Sequence, residues 1–227
     1  MRVSRGIVLT EILGYPRYVR GPWCLLSGAY KLAAINTVIA LWKKFDVSRA
    51  VDIGAGIGGW SLAAIRSWGD VEIHAFEPNP DNRRDLIKNV EHLNVHIWPF
   101  AAMNETGKMT LSLPGEDLEN MGKGSLVQKG VPIFEVDVVR VDDILPDFCP
   151  DFVKVDVEGA EPEALLGAEK MLRRSKPVMF VETTRTGRQT SQILRGLGYT
   201  HCRRTGNDHL FIHPDSPRTN IDRWSAI

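Results

Sequence analysis

The spacing of apolar positions changes character at about residue 49. From there on, short apolar runs alternate with stretches of helical periodicity, the signature of βαβ units feeding a parallel sheet. Runs at 50–53, 71–76, 95–99, 152–157 and 178–182 predict strands. Helices are predicted at 60–67, 80–91 and 162–173, the last opening on Pro162, a residue suited to a first turn. The implied architecture is a doubly wound α/β fold. Residues 104–141 break the alternation with a strand at 109–113, a loop rich in Gly and Lys at 115–130 and a second strand at 132–141, an insertion expected over one end of the sheet. After a helix at 189–196, the Thr205-Gly206-Asn207-Asp208 turn joins runs 199–203 and 209–213 into a hairpin, so the sheet should finish with an antiparallel strand.

These patterns divide the chain into an N-terminal helical extension (1–48), one α/β domain (49–213) and a tail (214–227). Residues 23–42 have about the length of a membrane span, but Lys31 and Asn36 interrupt them, and an amphipathic helix packed on the domain is the better reading. No leader pattern precedes them. Cys24, Cys149 and Cys202 lie far apart without a CxxC pair, which fits a reducing, cytoplasmic setting and excludes a disulfide framework. The formal net charge of zero conceals a partition: residues 1–50 carry +6, residues 51–182 carry −10 and residues 183–227 carry +4. Neutrality therefore argues against a protein that coats nucleic acid, but not against one that grips a single anionic ligand.

The chemistry concentrates at predicted strand ends. Asp52-Ile53-Gly54-Ala55-Gly56-Ile57-Gly58 closes the first strand and enters a helix, and glycines there let backbone approach a ligand. Asp52 would repel a pyrophosphate, yet it suits the cationic aminoacyl end of S-adenosylmethionine; a purely structural turn is the alternative. Glu77, about 20 residues on and at the end of the next strand, stands where an acid accepts both ribose hydroxyls of a nucleoside.

These residues resemble the class I S-adenosylmethionine-dependent methyltransferases, and within them the FkbM-type O-methyltransferases. The resemblance rests on residues 51–62, Phe76-Glu77-Pro78-Asn79-Pro80, Ala101-Ala102 with Gly107, Gly124-Ser125-Leu126, Val141-Asp142-Asp143-Ile144-Leu145 and Leu165-Leu166-Gly167-Ala168. Its most specific part is Lys154-Val155-Asp156-Val157-Glu158-Gly159-Ala160-Glu161. It implies a Rossmann-like, mostly parallel seven-stranded sheet with an antiparallel terminal strand. It also implies methyl transfer to a hydroxyl of a sugar, lipid-linked glycan or other small molecule, without an obligatory metal. The cofactor S-adenosyl-L-methionine would then be held by Asp52, Gly54, Gly56, Gly58, Glu77, Pro78, Asn79, Ala101 and Asp156.

Lys154, Asp156 and Glu158 share one side of an extended strand, and three charges there are costly unless they pair or meet a ligand. Asp156 is the first choice for orienting or deprotonating the acceptor, with Glu158 or Glu182 second; an ion pair of Lys154 with Asp156 or Glu158 that merely positions the loop is the alternative. His201, His209 and His213 in the terminal hairpin are other bases to weigh, and His74 reads as a packed strand residue. The basic ends make a phosphorylated or otherwise anionic acceptor a live option.

Three other readings stay open. An RNA 2′-O-methyltransferase of this fold would use a Lys-Asp-Lys-Glu tetrad, for which Lys31 or Lys43 and Asp156 could serve, but Glu182 stands where its second lysine belongs. Base-stacking aromatics are not clustered, although Trp23, Trp42, Trp60 and Trp68 are available. A nucleoside-binding module with lapsed chemistry is a second reading. Metal-assisted transfer is a third: Asp156 and Glu182 offer hard oxygens, but no third ligand is evident from spacing.

Overall fold

The computed structural model describes residues 7–12, 15–20, 45–113 and 124–217. Strands β1 (Ile7–Ile12) and β2 (Tyr15–Arg20) pair as an antiparallel hairpin. Of the expected N-terminal helical extension, these strands are what is described before residue 45; the helix expected at 23–42 lies outside the described residues.

The predicted alternation then unfolds as β3 (Arg49–Ile53), α1 (Gly59–Trp68), β4 (Glu72–Phe76), α2 (Pro80–Val90) and β5 (Val95–Trp98). The excursion follows as β6 (Ala101–Ala102), β7 (Gly107–Leu113), β8 (Val131–Val139) and the short α3 (Val141–Ile144). The chain continues with β9 (Phe152–Val155), α4 (Glu161–Gly167), α5 (Glu169–Ser175), β10 (Val178–Glu182), α6 (Gly187–Gly196), β11 (Thr200–Thr205) and β12 (Asp208–Ile212).

Among the described residues one sheet has seven strands in the order β11-β12-β10-β9-β3-β4-β5. Its strands from β10 to β5 run parallel, and β12 lies antiparallel to β10, as the terminal hairpin predicts. The central strands are buried on both faces, so they read as near-continuous apolar runs. One face packs Val51, Val153, Val155 and Met179 against Leu165, Met171 and Leu194. The other packs Ala50, Phe152 and Phe180 against Ala63, Ala64 and Ile65. Lys154 stands out, because it is a buried charge within an apolar strand.

Two differences from the sequence expectation have local causes. The helix expected at 162–173 is two helices: both oxygens of Asp142 accept backbone N–H groups, from Lys170 at 3.0 Å and Met171 at 2.9 Å, so α5 begins afresh with its own first-turn acceptor. The strand expected at 132–141 ends at Val139, where the chain enters α3. The excursion forms its own sheet, ordered β6-β8-β7, in which the two-residue β6 pairs parallel to β8. Ser125 pairs with Ser112 at its margin, and this brings the insertion to the end of β9.

Candidate active site

Because β4, β3, β9 and β10 are adjacent and parallel, their carboxyl ends form one rim carrying Glu77, the glycine loop, Asp156 and Glu182. This is the crevice position in open α/β sheets. The loop is held at close range. Gly54 sits at φ +81°, and a Cβ there would lie 1.9 Å from the Asp156 carbonyl oxygen, so only glycine fits between β3 and the end of β9. Gly56, at φ +58°, has the opposite surroundings, since a Cβ would meet nothing within 4 Å. Its N–H donates to Glu77 Oε2 at 2.7 Å. The helix α1 that follows starts after Gly58 with no side-chain cap, so its first-turn N–H groups face the rim without a side-chain acceptor.

Asp52 does not line the rim. It is fully buried, with Oδ2 accepting from Ser61 Oγ at 2.7 Å and Oδ1 3.2 Å from Lys154 Nζ. Lys154 in turn donates to the Gly54 carbonyl at 2.6 Å and lies 3.6 Å from Asp156 Oδ2. Burial alone would pull the Lys154 ammonium down, but Asp52 and Asp156 more than offset it, and the group is held above its ordinary value. The ion pair anticipated from the sequence therefore exists, shared between Asp52 and Asp156 and not with Glu158. It ties the floor of the site to the backbone of the glycine loop.

Glu77 is buried beside that loop. Its Oε1 accepts from Asn79 N at 2.9 Å and more weakly from Asn82 Nδ2 at 3.5 Å, while Oε2 takes the Gly56 N–H. Burial pushes its carboxyl up to about 7, against the opposing pull of those donors. Asn79 caps α2, accepting from Asp81 N at 2.9 Å, and Arg83 donates to the carbonyls of Glu77 and Pro78. The buried Asn79 Nδ2 has no hydrogen-bond partner among the described residues.

On the other side of Lys154, Asp156, Glu158 and Glu182 each bring a carboxylate oxygen within 4.8 Å of the others. The extended-strand reading of this run needs correction: β9 stops at Val155, and the chain turns sharply, with Glu158 at φ +54° and Gly159 at φ +109°. The turn, and not strand alternation, brings Glu158 to the other two. The Glu158 carbonyl accepts from Ser125 Oγ at 2.8 Å and Gln128 Nε2 at 2.6 Å, so the insertion holds the turn. Burial, with Asp156 and Glu158 nearby, pushes Glu182 up to about 8. Burial and Asp156 also raise Glu158, partly countered by Arg185, whose guanidinium lies 3.2 Å from Glu158 Oε2. Three such groups can share a proton or hold a hard cation, and Glu158 supplies the third oxygen donor that spacing had not revealed.

Other candidates are placed elsewhere. Ala101 is buried in β6, paired with Val138. His209 Nδ1 lies 3.0 Å from His201 Nε2, and its ring stacks near Phe211. His213 accepts from Asp215 N. His74 is packed between His96, Trp98 and Phe148. Trp60 and Trp68 pack on Phe152, and so do not form a base-stacking platform; Trp23, Lys31, Trp42 and Lys43 lie outside the described residues.

Sequence reasoning missed Ser61, Arg185 and Thr186. Arg185 and Thr186 follow β10 directly, where a loop at a strand's carboxyl end is itself a signal. With Arg188, Gln189 and Gln192 they line an open cavity of about 390 Å³ that carries two guanidiniums and no carboxylate.

The methyltransferase FkbM domain matches residues 52–206. Methyltransferase sdnD of Sordaria araneosa is 29% identical, covering 53% of this chain and 60% of that one. Methyltransferase str2 of Strobilurus tenacellus is 33% identical over 24% of this chain and 21% of its own. The match thus spans 60% of the first of these curated relatives and 21% of the second. Among solved structures, the FkbM methyltransferase of Methylobacillus flagellatus KT superposes with a TM-score of 0.52 at 20% identity, over 73% of this chain and 43% of that one. No helix among the described residues is long and apolar enough to cross a membrane.

Proposed function

The chain belongs to the FkbM methyltransferase family, and on that footing we propose that it is an S-adenosylmethionine-dependent O-methyltransferase acting on a hydroxyl of a sugar, lipid-linked glycan or other small molecule. One observation carries this reading: the 2.7 Å bond from Gly56 N to Glu77 Oε2 joins the two nucleoside-recognition elements beside a group of three carboxylates. The residues fit the cofactor. Gly56 faces open space, Glu77 presents two oxygens with lone pairs left over, and Asn79 Nδ2 is a buried donor in want of an acceptor. Gly54, Gly56, Gly58, Glu77, Pro78 and Asn79 would hold it, with Asp52 and Lys154 supporting the loop from beneath. Ala101, buried in β6, would contribute through backbone alone. When bound, the cofactor supplies a methyl group on a sulfonium.

The protein's own part is to orient the acceptor and take up its proton. Asp156 is the base: its side chain is 40% exposed on the rim, and Lys154 holds it from below. Glu182 carries a proton at neutral pH and orients Asp156, and Glu158 is held off by Arg185. As pH rises through about 8, Glu182 ionises and its proton no longer engages the Asp156 carboxylate. Turnover is therefore expected to climb through that range, and Glu182→Gln should flatten the limb in a pH–rate profile.

The cavity beside Arg188, together with the +4 balance of residues 183–227, supports an acceptor bearing phosphate or another anion. A cytoplasmic setting and a catalytic body at 49–213 complete the proposal. The test is calorimetric binding of S-adenosylmethionine, then methyl transfer from labelled cofactor to sugar phosphates, lipid-linked glycans and capped RNA, each with and without chelator. No binding at millimolar cofactor would sink the proposal, and binding without transfer to any acceptor would favour a lapsed module. The three-carboxylate group favours one second reading, cation-assisted transfer, which predicts turnover lost with chelator while binding persists.

A further inference from the structure

The geometry points to Glu161 as the positioning residue of the carboxylate group, tying the 156–160 turn to the segment after β10; this inference rests on the methyltransferase reading. Glu161 is 2% exposed and pairs with no basic side chain among the described residues. Oε1 accepts from Gly159 N at 2.9 Å and Val157 N at 3.3 Å, and Oε2 accepts from Thr186 Oγ1 at 2.5 Å. Thr186 Oγ1 also accepts from Thr190 Oγ1 at 3.1 Å, which anchors the contact to α6.

A carboxylate buried without a countercharge is an expensive way to stabilise a fold, and an apolar residue of similar volume would usually serve stability as well or better. Nor does Glu161 cap its own helix. It opens α4, yet it reaches backwards to two amides that precede the helix. Those amides flank Glu158, which sits at φ +54°, a conformation a side-chain-bearing residue holds only where its surroundings over-determine it. The second oxygen fixes Thr186, whose chain neighbour Arg185 bonds Glu158 Oε2 at 3.2 Å. One side chain thus sets the backbone that projects Glu158 and the guanidinium that receives it. Ser125 and Gln128 hold only the Glu158 carbonyl, so they restrain the turn without linking it to β10.

The test compares wild type with Glu161→Ala, Glu161→Gln and Thr186→Val. Amide exchange, read by mass spectrometry, needs no acceptor. Thr186→Val leaves the Oε1 bonds in place and should still speed exchange at 157–159 about tenfold, with little change in Tm. Unaltered exchange there overturns the inference. With an acceptor methylated in the panel above, Glu161→Ala should lower kcat 10- to 100-fold with the S-adenosylmethionine Kd within about threefold. Glu161→Gln should recover most of the loss, since its amide oxygen accepts both N–H groups and its amide nitrogen can donate to Thr186. A kcat unchanged in folded Glu161→Ala, or a Kd that rises in step with the loss, also overturns it. If wild type itself fails to bind the cofactor, the methyltransferase reading fails instead, while the exchange result still decides whether Glu161 ties the two segments.

Discussion

Replacing Asp156 by asparagine lowers kcat by about 10²–10⁴-fold, the usual contribution of a positioned general base, and leaves cofactor affinity within a few fold. Asparagine keeps the shape of the side chain and can still accept one hydrogen bond, so neither the end of β9 nor the Gly54 contact is disturbed. What it removes is the capacity to take a proton, together with the negative charge that raises both Glu158 and Glu182. Glu182 should then ionise at lower pH in the variant, but with no carboxylate at 156 for that ionisation to act on, the alkaline limb of the wild type should be missing from the residual activity. The missing limb separates loss of a base from simple misplacement of the acceptor, which would lower the rate at every pH alike. The measurement is kcat against pH beside calorimetric Kd for S-adenosylmethionine. Intact kcat with a collapsed affinity would transfer Asp156 from the proton-transfer role to cofactor binding. Lys154 gives the choice a further physical basis, because its buried ammonium pairs with Asp52 and Asp156 together and so couples the position of the base to the loop expected to hold the cofactor.

The parts of this site that were legible in the sequence are those set by local pattern. The glycine loop, Glu77 at the next strand end and the terminal hairpin all follow from runs of apolar residues meeting turn residues, and each lies where expected. What escaped depends on the third dimension. Asp52 reads as a ligand-facing acid, but its side chain turns inward to Ser61 and Lys154, and nothing in the spacing distinguishes the two faces of a strand buried on both. Glu158 reads as a third strand residue in phase with Lys154 and Asp156. It joins the carboxylate group through a left-handed turn, which Gly159 and the insertion's Ser125 make possible. Arg185 could not be assigned to Glu158 from 27 residues away, since the pairing exists only because β9 and β10 are neighbours in the sheet. The break between α4 and α5 is of the same kind, imposed by Asp142 from a distant helix.

Removing the Glu77 carboxylate weakens S-adenosylmethionine binding by roughly 10²–10³-fold, the second large effect expected. Hydrogen bonds to a charged group contribute about 1.5–3 kcal/mol each, and a ribose diol donating to both oxygens makes two of them, so about 3 kcal/mol or more is lost in Glu77→Ala. The alanine variant also strips the acceptor from Gly56 N and Asn79 N, so the glycine loop loses the contact that sets its distance from β4. Glu77→Gln is the milder change, because its amide oxygen still accepts one of those N–H groups while its amide nitrogen faces the other; an intermediate loss of about tenfold is expected. The environment of Glu77 adds a pH signature that a surface carboxylate would lack. Burial holds its carboxyl near 7, and protonation turns one acceptor oxygen into a donor facing ribose hydroxyls that must themselves donate. Affinity in the wild type should therefore decline as pH falls below about 7, and Glu77→Gln should bind with the same affinity at pH 6 and pH 8. Calorimetry at those two pH values decides it: a wild-type Kd that does not change across the interval would place the ribose away from Glu77 and leave the carboxylate as a support for the Gly56 turn alone.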